Sequence, residues 1–295
     1  MEREPITTFS PIANQVSLWR YMSATKLFSL LSTKCLYLSR ADGFEDPFEG
    51  ALGPAEEREN TISIFDSLAA QVARKFAFPA SSDSEEDAPV GGGQYTLTVP
   101  DEVLNHLHQT LKTPESVAEY IKSTVSNRFR SELSSSFKSA FQSTFISCWH
   151  ASKHESEAMW KLYSKDTTEG VVIRTSAGKL ISSIKSSNHI ALHRVIYDDN
   201  YVHEPGDHSL ARFLVKRQAF KHESEVRLVA KDYESGKMGR PGIHVELDLQ
   251  KLISEIRLSP FAPQWVGEAV ESVSDKFGIE AKVIKSAISN SAFHH

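Results

Sequence analysis

From Phe145 onward, short β-rich runs alternate with helical ones, and that texture limits what the chain can fold into. The runs read FISCW, GVVIRT, HRVIYD, EVRLVAK, IHVELD, EIRLS and EAKVIK, with helical patterns through Met159 and Trp160, near residues 209–220 and over 264–277. Strands joined by both short turns and helices predict an α+β fold built on a mixed, mostly antiparallel sheet. Upstream, Val16–Arg20 alternates, Ala24, Leu27, Phe28 and Leu31 recur at helical spacing, and Cys35–Ser39 is again β-rich, which reads strand, helix, strand. These N-terminal strands are expected to join the same sheet, making residues 1–295 a single discontinuous domain.

Three features separate the two β-rich parts. A helix is predicted over residues 55–76, where Ile62, Phe65, Leu68, Ala69 and Val72 recur at helical spacing. Residues 79–94, PASSDSEEDAPVGGGQ, carry four carboxylates and three consecutive glycines, too little apolar surface to offset ordering entropy, so a flexible acidic loop is expected. Residues 101–143 read as a helical insertion, with Thr113 as an N-cap and Pro114 at the first helical position.

Composition narrows the function classes. With 40% hydrophobic and 24% charged residues, the chain falls among ordinary globular proteins, so collagen-like, coiled-coil and wholly disordered readings drop out. A net charge of −5 argues against a protein that coats nucleic acid or anionic lipid by charge alone. No apolar stretch is long enough to span a membrane, and no membrane partner is expected. Cys35 and Cys148 are too few and too scattered for a disulfide framework or a thiolate metal site, which fits a reducing cytoplasm. The glycines at 91–93 lack the preceding strand and following Lys-Ser/Thr of a phosphate loop, and no GxSxG elbow occurs.

Three clusters could carry chemistry. In Lys221-His222-Glu223-Ser224-Glu225-Val226-Arg227, a strand would place Glu223, Glu225 and Arg227 on one face, where two carboxylates near a cation can stabilise a positive charge, orient a hydroxyl or hold a divalent metal. An exposed ion-paired strand face is the plain alternative. Asp42-Gly43-Phe44-Glu45-Asp46-Pro47-Phe48-Glu49-Gly50 interleaves rings with acids after a predicted strand, which suits a loop over a pocket or a well-anchored turn. Phe145 to His150 ends a strand that runs into a helix, which makes Ser147, Trp149 and His150 candidates at the sheet's edge. His150 and His154 would form half a metal site on a helix, but no third histidine matches, and no metal is expected. Trp160 and Tyr163, one turn apart, read as core.

Four stretches together resemble the bacterial domain of unknown function 2971 family: LWRYMSATKLFSLLSTKCLYLS, FEDPFEG, CWHASKHESEAMWKLYSKDTTEGVVI, and AFKHESEVRLV with the later IRLSP. They span nearly the whole chain outside the acidic loop and the helical insertion. One departure is Cys148-Trp149-His150, where the family usually reads Cys-Phe-Ser. The same stretches are similar to the layout of ADP-ribosyltransferases: a basic residue at the end of the first strand, a serine or aromatic strand leading into a helix, and a Glu-x-Glu opening a later strand. Arg20, Ser147 and Glu223-Ser224-Glu225 occupy those places in order.

That resemblance implies a split β-sheet gripping NAD in a cleft, with NAD as substrate and no metal. Glu225 would stabilise the oxocarbenium-like cation formed when the nicotinamide–ribose bond breaks. Glu223 would orient the acceptor, Arg20 would hold NAD, and Ser147 would brace Glu225. Tyr21, Phe48 or Trp149 would stack on nicotinamide, with His150 beside them. The acceptor would be protein, nucleic acid or water, and the activity would suit a toxin or phage-defence effector, leaving open an inhibitory partner protein. Arg20→Ala and Glu225→Gln are expected to abolish turnover with little change in melting temperature. Two rivals stand beside this reading: a Mg²⁺-dependent nuclease using Asp46, Glu49, Glu223 and Glu225, and a binding module without catalysis.

Overall fold

The computed structural model describes residues 9–44, 138–163, 168–185, 190–201 and 208–289. The chain divides into two compact units, one of residues 9–49, 140–199 and 213–295 and the other of residues 1–8, 50–139 and 200–212. Nearly all of the second unit lies outside the described residues, as do the predicted helix at 55–76, the acidic segment 79–94 and the predicted insertion up to residue 137.

The first unit begins with β1 (Ser17–Ser23), α1 (Ala24–Thr33) and β2 (Cys35–Arg40), the strand-helix-strand order the sequence predicts. Ser23 caps α1 by accepting from the Lys26 amide, and Leu27, Leu30 and Leu31 form its buried stripe. The chain re-enters the unit with β3 (Thr144–Ala151), α2 (Glu157–Tyr163), β4 (Gly170–Ser176) and α3 (Ala177–Ser183). Next come β5 (Ile190–Arg194), β6 (Ile196–Tyr197), β7 (Val215–Lys216), β8 (Glu225–Lys231) and α4 (Tyr233–Lys237). The last elements are β9 (Gly242–Glu246), α5 (Leu249–Leu252), β10 (Glu255–Leu258), α6 (Gln264–Lys276) and β11 (Lys282–Lys285).

The fold is α+β. Its main sheet runs β11-β10-β4-β1-β3-β2-β9, with β8 paired to β3 and β5 paired to β8, and every pairing is antiparallel except β10–β11. The N-terminal strands do lie in the same sheet as the later ones. The helix expected near 209–220 is absent; that stretch holds β7 and a 3-10 turn over Gln218–Glu223. Val215 and Lys216 instead pair in parallel with Ile196 and Tyr197, a long-range contact that overrides local helical pattern.

Strand β3 organises the sheet. One of its edges pairs with β8 from Thr144↔Lys231 to His150↔Glu225. The other edge is shared: Phe145 and Ile146 pair with β2, while His150 and Ala151 pair with β1. The sheet therefore parts between β2 and β1 opposite Ser147–Trp149. Arg20 fills the gap by donating Nη1 to the Cys148 carbonyl at 3.0 Å, so that the acceptor left outside the ladder is satisfied.

Alternation along the strands sorts the two faces. Leu18 and Met22 of β1, Phe145 and Trp149 of β3, and Val226, Leu228 and Ala230 of β8 turn into the main core with α1, α3 and α6. Trp19 and Tyr21 turn to the other face, where they pack with Met159, Trp160 and Val172. That second face carries the site.

Candidate functional site

A narrow cleft opens on the second face, lined by Tyr21, His150, Tyr163, Glu223, Glu225 and Cys148 together with Trp19, Trp149 and Met159. It collects side chains from β1, β3, α2, the 3-10 turn and the first residue of β8. The register explains the convergence, because Cys148 pairs with Arg227 and His150 with Glu225 across β3 and β8.

Glu225 is the most constrained group. Arg227 forks it, with Nε 2.9 Å from Oε1 and Nη2 3.0 Å from Oε2, and both side chains are buried. Arg227 is fixed in turn by donating Nη1 to the Phe213 carbonyl at 2.7 Å and by lying over the Phe44 ring. Burial acts to raise the Glu225 pKa, but the charge and hydrogen bonds of Arg227, the charge of Lys216 and the Cys148 thiol outweigh it and bring the value down to about 2. Glu225 is therefore a carboxylate at neutral pH.

Glu223 reaches the same place from a different element. It ends the 3-10 turn, and Ser224 follows in the left-handed region at φ 42° before β8 begins. The expectation of a single strand carrying both glutamates on one face thus gives way to a turn and a strand. The carboxylates still meet, because Lys216 Nζ lies 2.8 Å from Glu223 Oε2 and 3.4 Å from Glu225 Oε2. Lys216 also stands over the Phe220 ring. Lys221, the lysine singled out by the sequence, is exposed.

His150 donates or accepts through Nδ1 at 2.5 Å from the Glu223 carbonyl, which ties β3 to the turn. Burial lowers its pKa, against the raising effect of that hydrogen bond and of the Glu223 charge. His154, which the sequence spacing would place on one helix with it, lies beyond the end of β3 and ahead of α2. The Tyr21 hydroxyl accepts from the Ser156 amide at 2.9 Å, and burial pushes its pKa up to about 12. Tyr163, expected in the core, is half-exposed and sets its hydroxyl 3.5 Å from Glu223 Oε2. Trp19 is clamped by its Nε1 bond to the Ser152 carbonyl at 2.7 Å and by Arg174 and Arg257 over its ring.

Arg20 and Ser147 do not line this cleft. Arg20 Nη1 donates to Ser147 Oγ, and its guanidinium lies over the Trp149 ring at 5.6 Å. Ser147 thus serves Arg20 and not Glu225, whose braces are Arg227, Lys216 and Cys148. One step along a strand reverses the face, so Ser147 and Cys148 take opposite sides. Desolvation lowers the Arg20 pKa, partly offset by charge on Cys148 and Tyr163. Arg20 stands one layer behind the cleft wall. Phe48, Asp46 and Glu49 lie outside the described residues.

Among the described residues no group of three or more His, Cys, Asp or Glu is placed to hold a metal ion, and no helix is long and apolar enough to cross a membrane. Tyr163, Lys216, Met159 and Trp19 were not among the residues expected at the site. For Lys216 the only sequence signal was a cation within ten residues of two glutamates, which is too common to single one out. No model of a known protein family matches the chain, and no curated protein matches it.

Proposed function

We propose that this chain is an NAD-consuming enzyme with ADP-ribosyltransferase-like chemistry, which breaks the nicotinamide–ribose bond and passes ADP-ribose to a macromolecule or to water. The observation that supports it most is Glu225, a carboxylate held ionised by buried cations beside a cleft walled by Tyr21, Cys148 and His150. Cleaving that bond leaves positive charge on the ribose ring. A fixed anion in a cleft that excludes water stabilises such charge without reorganising at the moment of reaction.

Tyr21 supplies a ring surface for nicotinamide, whereas the Trp149 ring turns into the main core. Arg20, by holding β1 to β3, fixes the strands that carry Tyr21 and His150. A nucleotide-depleting activity of this kind would make the protein an effector, as in toxin or phage-defence systems, and one whose host needs an inhibitory partner. The pairing of Glu225 with Arg227 and Lys216 is also what the non-catalytic reading expects, and turnover separates the two; no observation among the described residues favours the nuclease.

The test is nicotinamide release from NAD by the purified chain, with cell lysate supplying acceptors and a parallel sample containing EDTA. Release that survives EDTA and is lost in Glu225→Gln, with the variant shown folded by circular dichroism at the assay temperature, is the expected result. Absence of release in every sample overturns the proposal.

A further inference from the structure

Resting on the NAD reading of this cleft, we infer that His150 is the proton acceptor of the reaction and that the acceptor substrate is a hydroxyl group, water included. The ring's hydrogen-bonding geometry carries this. His150 Nδ1 sits 2.5 Å from the Glu223 carbonyl oxygen. A carbonyl oxygen only accepts, so Nδ1 holds the hydrogen and Nε2 of the neutral ring keeps its lone pair. Nε2 makes no hydrogen bond among the described residues. Nor is it one of the enclosed unpaired polar atoms, which are Trp149 Nε1, Thr175 Oγ1 and Ser274 Oγ. The basic nitrogen therefore meets the open lining of the cleft.

The groups around His150 leave it as the base. From β1, the Tyr21 ring faces it edge-on at 6.3 Å, with a hydroxyl already engaged by the Ser156 amide. From β8, Glu225 is held by Arg227 and Lys216, and a carboxylate so stabilised accepts a proton poorly. From the 3-10 turn, Glu223 is paired with Lys216, while His222 adds a repulsive effect on an imidazolium. Cys148, two residues away on β3, donates to Glu225, and Tyr163 of α2 directs its hydroxyl to Glu223. Burial keeps the His150 pKa below its usual value, so the ring is neutral at pH 7.

The step balances without a further reagent. The bond between ribose C1′ and the nicotinamide nitrogen breaks, and its electron pair leaves with nicotinamide. An oxygen lone pair of the acceptor forms the new C1′–O bond, and the hydroxyl proton moves to His150 Nε2. The resulting imidazolium returns its proton to solvent. An imidazole is suited to a hydroxyl that becomes acidic as it attacks, whereas a guanidinium, which stays protonated in proteins, does not yield a proton to it.

The experiment compares wild type, His150→Asn and Glu225→Gln for nicotinamide release across about pH 5 to 8, with and without methanol as a soluble hydroxyl acceptor. Asparagine keeps an N–H for the Glu223 carbonyl but removes the base. The expected result is wild-type formation of methyl ADP-riboside, a loss of about 10²- to 10⁴-fold in His150→Asn, and partial rescue by added imidazole. The acid limb of the wild-type profile should disappear in the variant. Activity of His150→Asn within about threefold of wild type, with Glu225→Gln inactive, overturns the role of His150 and leaves the NAD reading standing. A wild type that releases no nicotinamide overturns both. Nitrogen NMR of the wild-type imidazole gives a check that needs no variant: an Nε2-protonated or charged ring at pH 7 refutes the inference.

Discussion

Lys216 Nζ lies 2.8 Å from Glu223 Oε2, and neither side chain is more than a tenth exposed. The same ammonium stands 3.4 Å from Glu225 Oε2, so one cation joins a turn to the start of a strand and holds two like charges together. Without it the two carboxylates would repel across a poorly solvated space.

Removing that cation should therefore be costly. Lys216→Met leaves Glu223 buried without its ion-pair partner, while Glu225 keeps Arg227. The expected loss is about 3 kcal/mol of folding stability, read as a lower midpoint in urea unfolding. Lys216→Arg, which preserves the charge, should recover much of it. Equal midpoints for Lys216→Met and wild type would mean that the ammonium does not hold the glutamates in solution.

Glu225 predicts how stability responds to acid. Its folded pKa lies below the ordinary 4.5, at about 2, so the stability it provides is fully present above 4.5 and is lost as pH falls toward 2. The shift corresponds to something on the order of 3 kcal/mol. Urea midpoints measured through that window should fall steeply in wild type. In Glu225→Gln the same fall should be shallower, from a lower starting stability, because Arg227 and Lys216 lose their anion. Parallel curves for the two proteins would refute the assignment.

The sheet was largely legible in the sequence and the site only in part. Runs such as GVVIRT and EVRLVAK declare strands through β-branched residues, and the spacing of Ala24, Leu27, Phe28 and Leu31 declares α1. Two features were not legible for physical reasons. Val215 and Lys216 become a strand only by pairing with Ile196 and Tyr197, a contact that local pattern does not contain. The order Arg20, Ser147, Glu225 along the chain says nothing about faces, and alternation puts Ser147 on the side away from Glu225. Glu223 and Glu225 were found together, though a left-handed Ser224 and a shared lysine bring them there and a common strand does not.

A close backbone approach gives a prediction outside the cleft. A Cβ at Gly236 in α4 would fall 2.7 Å from the Gln142 carbonyl oxygen, and a backbone atom there cannot swing aside as a side chain would. Gly236→Ala should cost about 1–3 kcal/mol despite alanine's better helix propensity. A thermal melt unchanged or raised by this substitution would show that α4 can shift away from residues 142–143.

The position of Arg20 behind the cleft reverses what the sequence suggested for its variants. Because the guanidinium satisfies the Cys148 carbonyl and Ser147 at the parting of β1 from β2, Arg20→Ala should leave a poorly hydrated acceptor and cost about 1–3 kcal/mol. Its melting temperature should drop by several degrees, where a residue that only touched substrate would leave it unchanged. A double-mutant cycle separates the two roles. Ser147→Ala should cost less in the Arg20→Ala background than in wild type, by about 0.5–1.5 kcal/mol, since the two share one hydrogen bond. Additive effects, with an unchanged melting temperature in Arg20→Ala, would instead return Arg20 to direct contact with substrate.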